Sequence, residues 1–153
     1  MGRDDLLRLL NLLLECERAG AKVAILCSGE AQDTVLDSVL FEVGRDEGRF
    51  CGMLTRHIER LGGTASRETG AFYQRLRAIP DQSERLVLLK RGQEWVVRTL
   101  NEALSSIRDA SLADDLREMR DVHARNIGLC GALIARFGTA QDRGNRCGVG
   151  RPI

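Results

Sequence analysis

The stretch LLRLLNLLLECERAGAKVAILC, residues 6–27, decides the fold. Leu6, Leu10, Leu13, Glu17, Gly20, Ala24 and Cys27 recur three and four residues apart, the spacing of one face of an α-helix. The stretch meets Glu15 and Glu17 well before the roughly 18 apolar residues a membrane span requires. Asp4 and Asp5, directly ahead of it, can cap the helix, and they do not make the basic start of a secretory signal. A cytoplasmic chain with no membrane partner is expected. Glu15 falls with Arg8, Asn11, Arg18 and Lys22 on a face that reads as solvated. Glu17 falls inside the apolar stripe.

Three more long helices follow the same plan. The second spans about residues 31–61, with Leu36, Leu40, Val43, Glu47, Phe50, Leu54, Ile58 and Leu61 on its inner face. It stops at Gly62-Gly63, a C-terminal glycine signal. A crossover then carries a short amphipathic segment at 70–79, with Phe72, Tyr73 and Leu76, ended by Pro80. The third helix spans about 83–107, with Leu86, Leu89, Gln93, Val96, Leu100, Leu104 and Ile107 inward. The fourth spans about 112–137, with Leu112, Leu116, Met119, His123, Ile127, Cys130, Ile134 and Phe137 inward, and ends at Gly138. Asn126 lies at the edge of that stripe. The reading is therefore all-α: an antiparallel four-helix bundle over residues 1–137, with a long crossover carrying a short helix. A flexible tail is expected over 138–153.

Each long helix carries one strongly polar residue near the middle of its apolar face: Glu17, Glu47, Gln93 and His123. Helix midpoints of an antiparallel bundle share one level, so the four should converge. A buried carboxylate must be paired, protonated or bound to a cation, and two close together repel unless a proton or cation lies between them. Carboxylate and imidazole ligands suit iron, manganese or zinc. A closed hydrogen-bond network serves equally, with His123 protonated or with Arg120 reaching in from one turn away. His57 reads as a packing histidine, Tyr73 as an anchor for the crossover and Trp95 as a cover for an outer groove.

Glu17-Arg18-Ala19-Gly20, Asp46-Glu47, Arg91-Gly92-Gln93 and the segment from His123 to Ile127 resemble an uncharacterised bacterial branch of the ferritin-like superfamily. Rubrerythrins and di-iron carboxylate proteins belong to that superfamily. The resemblance spans roughly residues 5–137. It implies a ferritin-like bundle whose di-iron pattern takes one Glu from the first and third helices and Glu-x-x-His from the second and fourth. This chain departs from that pattern. Gln93 stands for the third-helix Glu, Phe50 stands three residues after Glu47, and His123 is followed by Asn126. No Glu-x-x-His occurs in the sequence. What remains fits one divalent ion on Glu17, Glu47 and His123, with Gln93 as a fourth ligand or orienter.

Two functions from different classes are thus open. One is a ferritin-like bundle with a degenerate site for one non-haem divalent ion. The other is a non-catalytic dimeric interaction or regulatory module that has lost the site. Lys and Arg number 23 against 22 Asp and Glu, a net charge of +1, so no electrostatic footprint for nucleic acid is present. Five cysteines, with no C-x-x-C pair, read as reduced thiols. Seven leucines fall between Leu6 and Leu14, more than one core takes. Leu9, Leu12, Cys16, Ala19 and Val23 form a second stripe, and a homodimer built on it is expected; the alternative is that the crossover folds over this face. No substrate is fixed by these residues.

Overall fold

The computed structural model describes residues 1–31 and 33–146, and among these there is no strand. Helices α1 (Arg3–Gly29) and α2 (Thr34–Arg60) form one antiparallel hairpin. A crossover carrying the short α3 (Ala71–Arg77) leads to the second hairpin, α4 (Gln82–Ala103) and α5 (Ala110–Arg146). One turn of 3-10 helix, Leu104–Ser106, closes α4. The second hairpin packs against the first along α2–α5 and α1–α4, and α3 lies over α1 and α4.

Local signals set the ends. Asp33 caps α2 by accepting from the Val35 and Leu36 amides at 2.9 and 3.0 Å, Asp81 caps α4 through Glu84, and Asp109 caps α5 through Leu112. Gly62, at φ 71°, adopts the left-handed conformation that terminates α2. Arg3 then donates to the Leu61 and Gly62 carbonyls, both at 2.9 Å, closing the open end of α2 from the start of α1. This contact draws the first turn of α1 back to Arg3, so Gly2 takes the cap position and Asp4 and Asp5 sit in the first turn instead of capping. There they oppose the positive end of the helix dipole.

The last helix continues through Gly138 to Arg146. One glycine inside a helix costs only about 1 kcal/mol, and no proline stands between Gly138 and Pro152 to force a stop. Of the expected tail, residues 147–153, with Cys147, lie outside the described residues, as does the side chain of Phe137.

The core comprises two apolar blocks. One gathers Leu10, Leu13, Phe50, Leu54, Ile58, Val96, Leu100, Leu112, Leu116 and Met119. The other gathers Val23, Ala24, Cys27, Leu36, Leu40, Val43, Leu76, Leu86, Leu89 and Cys130. In sequence, each long helix passes from one block to the other through its polar residue: Glu17, Glu47, Gln93 or His123. The burial of the blocks on each side fixes the level of that polar layer.

The crossover is strapped to the polar face of α1. Arg18 donates to the Ser66 carbonyl at 2.9 Å and also to the Glu68 carbonyl. Ser66 donates its hydroxyl to Glu15 at 2.5 Å and its amide to Asn11 at 2.6 Å. Glu15 is therefore half-buried and bonded, not solvated, because the face read as wet is the docking track of the crossover. Tyr73 anchors α3 against the second block, with Lys22 Nζ 5.7 Å from its ring centroid. Of the second α1 stripe, Ala19 and Val23 are fully buried within the chain, Leu9 and Cys16 are half-buried, and Leu12 is 45% exposed.

A buried polar layer and its cavity

The four polar residues line one cavity of about 340 Å³, and each is at most 2% exposed. They meet as two pairs. His123 Nε2 stands 3.0 Å from Glu17 Oε1, and Gln93 donates its amide to Glu47 Oε1. The other imidazole nitrogen of His123, Nδ1, lies 2.9 Å from the Met119 carbonyl of its own helix. A carbonyl only accepts, so Nδ1 carries a proton. Nε2 is the nitrogen that titrates against Glu17. The Phe50 ring packs against the imidazole, centroids 5.6 Å apart.

Glu47 reaches across to α1 because Gly20 makes room. A Cβ at position 20 would lie 2.4 Å from Glu47 Oε1 and 2.5 Å from Oε2. Glycine at 20 thus leaves room for the carboxylate of another helix. Gly20→Ala should force Glu47 off its bond to Gln93 and destabilise by about 1–3 kcal/mol, the usual cost of overpacking. Gly48→Ala, in α2 with nothing within 4 Å of the added methyl, should instead stabilise by about 0.5–1 kcal/mol through helix propensity. Chemical denaturation of the two variants side by side checks this. Equal effects of either sign would remove the steric reason for Gly20.

Burial, and the Glu17 carboxylate nearby, hold the Glu47 carboxyl well above its ordinary range, and the Gln93 amide only partly offsets this. Burial also works against charge on His123, but Glu17 and the Met119 carbonyl together outweigh it and raise its pKa. The layer therefore retains protons where two bare carboxylates would repel. Among the described residues, four buried side-chain polar atoms have no hydrogen-bond partner: Glu17 Oε2, Glu47 Oε2, Gln93 Oε1 and Asn126 Nδ2.

Asn126 is the residue that sequence reading placed too far out. It is 2% exposed, one turn on from His123, whereas Ile127, expected inward, is only half-buried. The signal was present: residues three apart share a helix face, and His123-x-x-Asn126 has that spacing. Arg120, by contrast, does not reach in. It is half-buried and bonds Asp121 beside it at 2.7 Å. His57 stands apart from the layer. It is 6% exposed, with Nε2 2.6 Å from Asp115 Oδ2 and Nδ1 3.0 Å from Arg60, a packing histidine that ties α2 to α5. Trp95 lines the cavity, as does Cys16. The thiols of Cys16, Cys51 and Cys130 are each pushed up to about 11, chiefly by burial and then by Glu17 or Glu47.

Among the described residues, no three His, Cys, Asp or Glu side chains stand together as a ready metal-binding group, and no helix is long and apolar enough to cross a membrane.

Comparison with known proteins agrees with this architecture. A crystal structure of a ferritin-like, diiron-carboxylate protein from Bacillus anthracis str. Ames superposes with a TM-score of 0.78. The match covers 88% of this chain and 99% of that one at 17% identity, which speaks to the fold alone. The fold is that of a ferritin-like bundle. No curated protein matches the chain. Residues 4–132 match the family described as a domain of unknown function, DUF6306.

Proposed function

The chain belongs to the DUF6306 family, and we propose that it is a ferritin-like bundle protein whose polar layer holds one divalent ion on Glu17, Glu47 and His123, with the Gln93 amide oxygen as a fourth ligand. One observation supports this reading above the rest. Three buried oxygens on the cavity wall, Glu17 Oε2, Glu47 Oε2 and Gln93 Oε1, lack a partner. With Glu47 ionised all three accept, and a cation satisfies acceptors. The His123 tautomer suits the same role, since a metal-bound imidazole commonly donates its other N–H to a backbone carbonyl. Iron or manganese bound there would supply one-electron chemistry, and zinc would supply Lewis acidity.

In this reading protons and the cation compete for the same layer. Binding requires Glu47 to give up its proton and Nε2 of His123 to be free of one. Affinity should therefore rise with pH. Protein purified without added metal, then titrated anaerobically with ferrous iron or manganese by calorimetry, should take one ion per chain, more tightly at pH 8 than at pH 6. Two tight sites, or none at either pH, would refute the proposal.

A second reading has its own support. Glu-x-x-His is absent, and both pairs in the layer already bond without an ion. In that reading the layer only fixes helix register, and the chain is a non-catalytic interaction module. The homodimer expected on α1 belongs with it. On that face the chain's own fold leaves Leu12 as the exposed apolar residue.

A further inference from the structure

The cavity over the polar layer carries features that ion binding does not use. Phe72 from α3 and Leu88, Leu89, Trp95 and Val96 from α4 make its walls apolar. Arg75 from α3 and Arg91 and Arg98 from α4 also line it, and all three are exposed. Among the described residues the acids on the lining are Glu17 and Glu47, and both are buried. The cavity thus runs from a cationic rim at the surface to the bundle core. None of the three arginines is paired with an acid among the described residues; the same holds for Arg56, Arg77 and Arg125, and what sets these three apart is that they line one cavity. Three guanidinium groups without counter-charges, on the rim of one apolar cavity, call for an oxyanion with an apolar body. The volume, about 340 Å³, lies at the small end of the roughly 300–1,000 Å³ of ligand pockets.

We propose that this cavity binds a small amphipathic organic oxyanion, a carboxylate or phosphate. Its head is held by Arg75, Arg91 and Arg98, and its apolar body runs inward between Phe72, Leu88 and Trp95 toward the polar layer. Gly92 sets the width of the slot: a Cβ there would lie 3.0 Å from the Phe72 ring. The inference goes beyond the ion and does not depend on it.

The chain has a single tryptophan, and it lines the cavity, so its fluorescence reports occupancy. Metal-free, full-length protein is titrated with octanoate, octyl phosphate and octanol below their aggregation limits, with equilibrium dialysis in parallel. At least one oxyanion should change Trp95 emission and bind at least tenfold more tightly than octanol; the better of the two identifies the head group. The Arg75→Gln, Arg91→Gln, Arg98→Gln variant, altered only at exposed positions, should keep its circular dichroism and melting temperature and bind the oxyanion no better than octanol. Octanol binding as tightly as both oxyanions to the wild type would overturn the proposal, without any variant. So would an unchanged preference in the triple variant, or the absence of binding by both readouts. Failure of ion binding leaves all these outcomes unaffected, because no metal is present.

Discussion

Replacing His123 with alanine should lower the melting temperature by roughly 6–20 °C. The change strands Glu17, 1% exposed, whose Oε2 already lacks a partner and whose Oε1 bonds only His123. Breaking one side of a buried charge pair costs about 3–5 kcal/mol, and about 1 kcal/mol moves the melting point of a domain of this size by roughly 2–4 °C. Total stability is normally only about 5–15 kcal/mol, so the variant loses a large share of it. The double variant Glu17→Met, His123→Leu removes both partners and fills the space with apolar groups. It should recover most of the loss, since replacing a buried pair whole is often neutral or stabilising. Melting of metal-free wild type, single and double variants, followed by circular dichroism at pH 7, measures this. A single variant that loses less than about 1 kcal/mol would show that Glu17 is not held by His123.

The second large effect is at Glu47. Glu47→Gln keeps the shape and still accepts from Gln93, but it carries no charge. Its ion affinity should fall roughly 100-fold or more, since a neutral amide replaces an anionic ligand. Its stability should change in the other direction, and with pH. Glu47 has a folded pKa raised above its ordinary 4.5. The folded chain therefore binds that proton more tightly than the unfolded chain does. The resulting stability is complete below about 4.5 and is lost as pH rises through the folded value. His123, raised above 6.5, acts in the same sense: its contribution is complete below 6.5 and is lost as pH rises through its folded value. Metal-free wild type should accordingly melt lower at pH 8 than at pH 5. Glu47→Gln should narrow that gap by removing the Glu47 part and leaving the His123 part. Melting curves at both pH values decide it, and a gap unchanged by the substitution would mean that Glu47 is ionised in the folded chain.

Much of this arrangement was legible in the sequence because helical spacing reports facing directly. Four apolar stripes, each interrupted once, placed Glu17, Glu47, Gln93 and His123 on the lining of one cavity. Two kinds of feature escaped. The first is dictated by another element: Glu15 and Arg18 look solvated until the crossover lies on them, and Val23 looks surplus until Phe72, Tyr73 and Leu76 of α3 join its block. Periodicity within one helix carries no information about such a lid. The second is a matter of angle. Asn126 lies on the same side as His123 but away from the centre of the apolar stripe, and only packing decided that it is buried and Ile127 partly not. Gly138 was misread for a third reason, since a lone glycine lowers helix stability without ending a helix.

Cys16 gives the cavity a chemical character of its own. With its pKa near 11, only about one thiol in ten thousand is a thiolate at neutral pH. Attack on electrophiles, disulfide exchange and the first step to sulfenic acid all proceed through the thiolate. A peroxide or an electrophile that enters beside Phe72 therefore meets sulfur with almost no nucleophilicity. Burial first, and then the same carboxylates that make the polar layer a place for protons or a cation, keep this thiol inert.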